Sequence, residues 1–376
     1  MRTGILGGTF DPIHSGHVQL ALAALKQLGL DRVLLLPSGE PPYKKPFAGR
    51  ADRLTMARRA VDGLNGIEVC ESEILRPGPT YTADTLRTLH ARYPGDELIY
   101  ILGSDAAARV SRWKNADEAR KLCRFACVVR AGGQDGVPEG MLRLEADIAD
   151  ISSEAIRSEI ASGGTATGSF PSNVEKYIAA RGLYLAAMPE SEIISDLQRT
   201  LKPGRFRHTL GVMETSVELA RIYGAPEGKA LYAALLHDCA KNLSESELME
   251  LAEISGADAD EMACPPVMHA PVGAHLAHTR YGVRDAEVLS AIRRHTVGAE
   301  DMSLLDAIVY VADMVEPGRR FFPGLDDARN LARRDIFSAA ALCGRLTRDY
   351  NRGKGALHPM TEKMIKCIEN GGFANG

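Results

Sequence analysis

The sequence predicts two structural classes in one chain: an α/β N-terminal half built on a parallel sheet, and an all-α C-terminal half. Three observations predict this. Residues 1–185 alternate short β-rich runs with amphipathic helical patterns, as in a parallel sheet covered by helices on both faces. Residues 190–372 keep helical periodicity with no convincing strand. Seven of the 10 histidines fall in that second stretch. A chain of 376 residues is long enough for two or three domains. The change of pattern puts domains at 1–186 and 190–372, joined by the Pro189-containing segment 186–191.

Strands are expected over 3–6, 32–37, 66–70, 97–102 and 125–130, each a short apolar run between turn or polar residues. Helices fall between them, over 16–28, 50–64 and 82–91, where apolar residues recur at helical spacing. Ligands of such sheets lie outside the carboxyl ends of the strands. The second half predicts helices over 206–223, 229–236, 245–254, 271–281, 285–295, 303–315 and 327–350.

Composition narrows the classes of function. Apolar residues are 45% and charged residues 25%, as in a globular protein, and no run of eighteen apolar residues exists to span a membrane. A net charge of −4 argues against wrapping DNA or RNA but leaves room for small anionic substrates at a locally basic site. Seven scattered cysteines without a CxxC pair point to a reducing cytoplasm, with the thiols as small buried side chains.

The first expected strand runs into Gly7-Gly8-Thr9-Phe10-Asp11-Pro12-Ile13-His14-Ser15-Gly16-His17 and then a helix. Glycines let backbone approach a ligand, and a helix N-terminus offers free N–H groups and a positive dipole end to phosphate. His14 and His17, three apart at the helix start, face one ligand. Further along, Ser152 and Ser153 are placed to cap their helix and aim its amides at phosphates.

With these residues the first half resembles the H-x-G-H nucleotidyltransferases, whose fold is Rossmann-like. Five segments make it most similar to nicotinate-nucleotide adenylyltransferases. They are Pro41-Pro42-Tyr43-Lys44, Tyr81-Thr82-Ala83-Asp84-Thr85-Leu86, Gly103-Ser104-Asp105 with Trp113-Lys114, Ile151-Ser152-Ser153-Glu154-Ala155-Ile156-Arg157, and Pro171-Ser172-Asn173-Val174. Tyr43 stands where that family usually has His, and Glu154 where it has Thr.

The resemblance implies that the phosphate of nicotinate mononucleotide attacks the α-phosphorus of ATP and expels pyrophosphate. An already anionic nucleophile needs no strong base, so positioning and charge neutralisation carry the reaction. Gly7, Gly8, Thr9 and Phe10 would form the ATP cradle. His14 and His17 would hold the triphosphate, His17 nearest the α-phosphate. Arg157 and Lys44 would add positive charge and Mg²⁺ would be the counter-ion. Gly103 and Asp105 are implied along ATP, and Thr82, Thr85 and Trp113 near the nicotinate nucleotide. A pantetheine-phosphate or cytidylyl transferase, which shares H-x-G-H, is the alternative.

In the second half, His208, His237-Asp238 and Asp313 stand in or beside separate apolar helices. Imidazoles and carboxylates converging from several helices suit a metal. His269 and His295 add ligands for a second cation, with Asp238 bridging; two cations about 3–4 Å apart suit phosphoryl chemistry. Lys241 and Arg319 would neutralise nonbridging oxygens. His275, His278 and Asp306 are expected to be structural or surface residues.

These segments, with Ala312-Asp313-Met314-Val315-Glu316-Pro317-Gly318-Arg319, resemble the YqeK-like HD-domain symmetrical bis(5′-nucleosyl)-tetraphosphatases. The resemblance implies hydrolysis of diadenosine tetraphosphate to two ADP at a di-iron centre, with manganese, cobalt or zinc as alternatives. The expected partners are thus ATP, nicotinate mononucleotide and a dinucleoside polyphosphate. Another HD phosphohydrolase, acting on a deoxynucleotide or signalling nucleotide, is the alternative. So is a regulatory nucleotide-binding module.

Overall fold

The computed structural model describes residues 1–42, 45–129, 136–146, 151–352 and 358–372. They form two compact units, Met1–Glu159 with Thr165–Tyr177, and Ile160–Gly164 with Ile178–Gly376.

The first unit runs β1 (Arg2–Gly8), α1 (Ser15–Gln27), β2 (Arg32–Pro37), α2 (Arg50–Ala60), β3 (Ile67–Val69), α3 (Thr82–Arg92), β4 (Glu97–Gly103), α4 (Ser104–Ala107), α5 (Ala116–Leu122), β5 (Arg124–Val129), β6 (Leu142–Glu145) and α6 (Ser153–Ala161). The unit boundary falls within α6, after Glu159, and within α7 (Ser172–Arg181), after Tyr177. The strands form one all-parallel sheet in the order β3-β2-β1-β4-β5-β6. β1 and β2, both interior strands, are buried through Ile5, Val33, Leu34, Leu35 and Leu36, the near-continuous apolar pattern of a two-face-covered parallel strand. The order reverses between β1 and β4, which opens a crevice beyond their carboxyl ends, where Gly8 and Gly103 stand.

Five strands lie where the pattern predicts them, and β6 is an addition. Only Leu144 of its four residues is buried, so this edge strand carries almost no apolar signal.

The second unit is helical: α8 (Glu190–Thr200), α9 (Pro203–Tyr223), α10 (Glu227–Leu236), α11 (Glu245–Ile254), α12 (Ala259–Met262), α13 (His269–Thr279), α14 (Ala286–Arg294), α15 (Leu304–Val315), α16 (Leu325–Ala332), α17 (Ile336–Asn351) and α18 (Pro359–Glu369). Its core is dominated by α15, of which nine of 12 residues are buried. The expected helix 327–350 is two helices. Asp335 stops the first and caps the second by accepting from the Ser338 N–H at 3.0 Å.

The segment 186–191 belongs to the helical unit instead of linking loosely. Ala186 is buried in its core, the Ala187 N–H donates to the Tyr281 carbonyl, and Pro189 is the N-cap of α8. Small residues and a proline resemble a linker in composition, but Ala186 is small because it is packed. Among the described residues no helix is long and apolar enough to cross a membrane.

Candidate functional sites

In the first unit the glycine-rich turn leaves β1 and enters α1 with His14 as N-cap. Gly7 is required by a neighbour: a Cβ there would overlap the Tyr100 hydroxyl. The backbone N–H of His14 donates to His17 Nδ1 at 3.2 Å, and the two rings lie 3.7 Å apart. Nδ1 is the acceptor, so neutral His17 carries its proton on Nε2. Burial lowers the pKa of His14 to about 4; burial, with His14 beside it, lowers His17 to about 3. Both rings are therefore neutral near pH 7 and offer N–H dipoles to a phosphate.

Fixed positive charge comes from arginines anchored under the turn. Arg157 is 9% exposed, donates to the Asp11 carbonyl at 2.6 Å and lies over the Phe47 ring. Arg53, which the sequence reading missed, is 1% exposed and donates to the carbonyls of Thr9, Ser38, Gly39 and Ala48. It shares its face of α2 with Met56, Ala57 and Ala60, and a charge on an otherwise apolar helix face is the signal that marks it. The Asp11 carboxylate accepts the N–H groups of Phe47 at 2.6 Å and Ala48 at 3.0 Å. These contacts tie together the loops at the carboxyl ends of β1 and β2.

Several expected residues do other work. Phe10 is 2% exposed, so its ring packs under the turn, edge-on to His17 at 5.0 Å, rather than lining a ligand. Ser152 accepts from the Ala155 N–H at 3.1 Å and caps α6 as expected; Ser153 instead donates to the Pro12 carbonyl at 2.9 Å. Thr85 is 1% exposed and links Glu73 and Arg76 at 2.7 Å each, so it braces the wall instead of facing a nucleotide. Thr82 hydrogen-bonds buried Tyr100. Trp113 is half-buried and joins Tyr100 and Phe125 in an aromatic cluster. Gly103 and Asp105 are exposed beyond β4. Thr9 is half-buried and is held through its carbonyl by Arg53. Lys44 and Tyr43 lie outside the described residues.

In the second unit all six expected ligands meet. His208 comes from α9, His237 and Asp238 from the end of α10, His269 from the start of α13, His295 from the end of α14 and Asp313 from α15. The two Asp238 oxygens face different partners. Oδ2 lies 3.3 Å from His237 Nε2 and 3.8 Å from His208 Nε2, while Oδ1 lies 3.3 Å from His269 Nε2 and 3.9 Å from His295 Nε2. Asp313 Oδ1 completes the first group, 2.9 Å from His208 Nε2 and 3.8 Å from His237 Nε2.

The Nε2 atoms of His208 and His237 are buried and lack hydrogen-bond geometry to any partner, although carboxylate oxygens surround them. Such a donor set fits a cation: His237 Nδ1 donates to the Ala234 carbonyl at 2.6 Å and His295 Nδ1 to the Ile292 carbonyl at 2.7 Å, leaving Nε2 lone pairs directed inward. Burial opposes ionising Asp238 and Asp313. The imidazoles around Asp238, and His208 with Arg319 beside Asp313, outweigh it and hold both carboxyls well below the usual range. Burial lowers His295 to about 4 and His269 well below its ordinary value.

Cations ring the carboxylates. Arg205 donates to Asp238 Oδ2 at 2.7 Å and Arg319 to Asp313 Oδ1 at 2.8 Å. Lys241 follows a turn after α10 instead of a continuing helix, and its Nζ lies 3.0 Å from His269 Nδ1. The sequence reading missed Arg205. Together with Arg320 these groups line a cavity of about 860 Å³ whose other wall carries Tyr310, Met314, Phe322 and Leu346. That combination accepts a polyphosphate and an attached flat apolar group. His275 and His278 lie away from the cavity, and buried Asp306 pairs with Arg294 at 2.9 Å and, in the capping box of α15, accepts the Ser303 N–H at 2.9 Å.

Residues 5–159 match the cytidylyltransferase-like family and residues 205–318 the HD domain family. The chain is 30% identical over 342 residues to a Mycoplasma pneumoniae protein named probable nicotinate-nucleotide adenylyltransferase/Ap4A hydrolase; the match covers 88% of this chain and 95% of that one. A Dehalococcoides mccartyi protein named probable nicotinate-nucleotide adenylyltransferase is 39% identical over 198 residues, 49% of this chain and 97% of its own. A solved Clostridium acetobutylicum structure, described as a predicted HD superfamily hydrolase involved in NAD metabolism, is 36% identical. It covers 48% of this chain and 97% of its own, with a TM-score of 0.46.

Proposed function

The chain belongs to the family of fused nicotinate-nucleotide adenylyltransferase/Ap4A hydrolases, and from that premise we propose the role of each site. Residues 1–186 transfer AMP from ATP to nicotinate mononucleotide, giving deamido-NAD and pyrophosphate. Residues 190–372 hydrolyse diadenosine tetraphosphate to two ADP. All three substrates are soluble nucleotides, none is a nucleic acid, and the place of action is the cytoplasm.

For the transferase, the observation that carries the reading is the neutral His14–His17 pair at the helix start, beyond the point where the strand order reverses. The incoming phosphate is the nucleophile and the α–β phosphoanhydride bond breaks. His17 Nε2–H donates to an α-phosphate oxygen and His14 to the adjacent phosphates. Arg157 and Arg53 keep the turn in place and make its surroundings positive. Gly103, Asp105, Ser152 and the α6 amides border ATP, and Thr82 and Trp113 border the nicotinate nucleotide. Mg²⁺ bound with ATP would add charge neutralisation for the leaving pyrophosphate.

For the hydrolase, the carrying observation is the split coordination of Asp238, each oxygen turned to a different pair of histidines. His208, His237, Asp313 and Asp238 would hold one cation, and His269, His295 and Asp238 another. A metal pair, which we assign as iron, supplies a more acidic water and a clamp for the oxygens of a phosphoanhydride when bound. The chain's own residues do the rest. Arg205, Lys241, Arg319 and Arg320 bind the polyphosphate, and the apolar wall keeps bulk water from the nucleoside.

The test is a product analysis. Anaerobically metal-loaded protein is incubated with diadenosine tetraphosphate, with His237→Ala alongside. ADP as the single product, lost in the variant, supports the hydrolase reading. ATP plus AMP, or no turnover of this substrate beside turnover of a deoxynucleotide, overturns it. Deamido-NAD formation in the same two proteins should be equal.

A further inference from the structure

The four histidines of the helical site are not backed in the same way. His237 and His295 each donate Nδ1–H to a carbonyl within their own helix turn, three residues back. His208 alone is backed by a carboxylate. Its Nδ1 lies 3.1 Å from Glu316 Oε1, 108 residues away in the sequence. Glu316 is 3% exposed, and its other oxygen accepts the Gly318 N–H. That carboxylate occupies the space beside α9 left by Gly211, where a Cβ would come within 2.7 Å of Oε2. Both oxygens are thus engaged, and the glycine keeps the gap open.

We infer that Glu316 is a positioning residue that fixes the tautomer of His208. The inference rests on His208 being a ligand of the proposed metal site. A carboxylate only accepts hydrogen bonds, and His208 Nε2 lacks hydrogen-bond geometry to Asp313 whereas Nδ1 has it to Glu316, so neutral His208 must carry its proton on Nδ1. The lone pair then sits on Nε2, the atom that lies between Asp238 and Asp313. A buried carboxylate behind an imidazole also makes that imidazole a more basic ligand than one backed by a carbonyl. Glu316 therefore strengthens the cation pocket of His208, His237 and Asp313 relative to the pocket of His269 and His295. The carbonyl-backed histidines need no such device, because a helical carbonyl is present wherever the helix forms. His208 needs a partner delivered from the loop after α15.

The substitution Glu316→Gln tests this because it keeps the shape. Its amide oxygen satisfies the Gly318 N–H, which turns the amide NH₂ toward His208 Nδ1. An NH₂ donates, so the proton of His208 moves to Nε2 and the lone pair leaves the cation pocket. Gly211→Ala is an independent variant. It displaces the carboxylate without altering it, and Gly→Ala within a helix otherwise favours folding.

Two readouts apply to the full chain. The first is the imidazole ¹⁵N spectrum of the metal-free protein, assigned by comparison with His208→Gln. The second is Mn²⁺ bound per chain by equilibrium dialysis and elemental analysis. For the wild type we expect Nδ1–H at His208. In Glu316→Gln we expect Nε2–H and a roughly 10–100-fold weaker affinity at one of two Mn²⁺ sites. Gly211→Ala should weaken the same site. An unchanged tautomer, or unchanged Mn²⁺ affinity in both variants, overturns the inference. Neither readout requires substrate turnover, so failure of the proposed hydrolysis and failure of this inference are separate results.

Discussion

The two units build their sites in opposite ways. The sheet unit uses a short stretch of chain, from Gly7 to His17, and lets backbone amides and neutral imidazoles face the ligand while arginines brace the turn from behind. The helical unit brings side chains from five helices to one point and puts carboxylates at the centre. The difference follows the chemistry. A phosphate nucleophile arrives already charged, so the first site needs little beyond placement. Water is a poor nucleophile, so the second site concentrates ligands able to hold the cations that acidify it.

Substitutions that strike one side should leave the other intact, and the largest expected effect breaks the contrast most directly. Asp238→Ala removes the carboxylate common to both cation groups. It should lower hydrolysis by about 10³-fold, as much as removing a strong transition-state donor. Adenylyl transfer should be unchanged in a parallel assay of deamido-NAD, and a joint loss would mean that the sites are coupled.

Arg157→Ala is the counterpart in the sheet unit. It frees the Asp11 carbonyl and removes a buried charge beneath the turn. Adenylyl transfer should fall by about 10²-fold with hydrolysis retained. An unchanged rate constant would remove Arg157 from the transferase.

Arg53→Met sharpens the contrast between bracing and chemistry. It strips four carbonyls of a donor, so the sheet unit should lose about 3 kcal/mol in urea unfolding. A loss of rate without a loss of stability would instead give Arg53 a direct part in phosphate binding.

The smallest effect expected is on pH. The folded pKa values of His14 and His17, about 4 and about 3, lie below the ordinary value of 6.5. The unfolded chain therefore binds protons first as pH falls, and their contribution to stability, full above pH 6.5, is lost as pH falls through about 4 to about 3. The adenylyl-transfer rate should stay flat from pH 8 to pH 6. A limb near pH 6.5 that disappears in His14→Asn would show that a charged imidazole is at work.

Legibility differed for the same physical reasons. β1, β2, β4 and β5 were readable because a parallel strand covered on both faces needs a continuous apolar run. β6 was not, because it buries one residue at the sheet edge. The H-x-G-H turn was readable because its residues are neighbours. The side chains of Thr85 and Phe10 point into the interior, which the motif could not show, because a motif records that a residue is needed but not which way it points.

What the sequence alone determined is the class of each half, five of the six strands and the six residues of the metal-type cluster, since apolar periodicity and ligand chemistry are properties of composition and spacing. Only the tertiary structure decided that Asp238 divides its oxygens, that Arg53 and Arg205 serve the two sites, and that Glu316 backs His208. These depend on contacts that reach across as many as 108 residues of chain. The physical reason is that a buried charge is stable only where packing delivers its partner, and packing is settled by the fold as a whole.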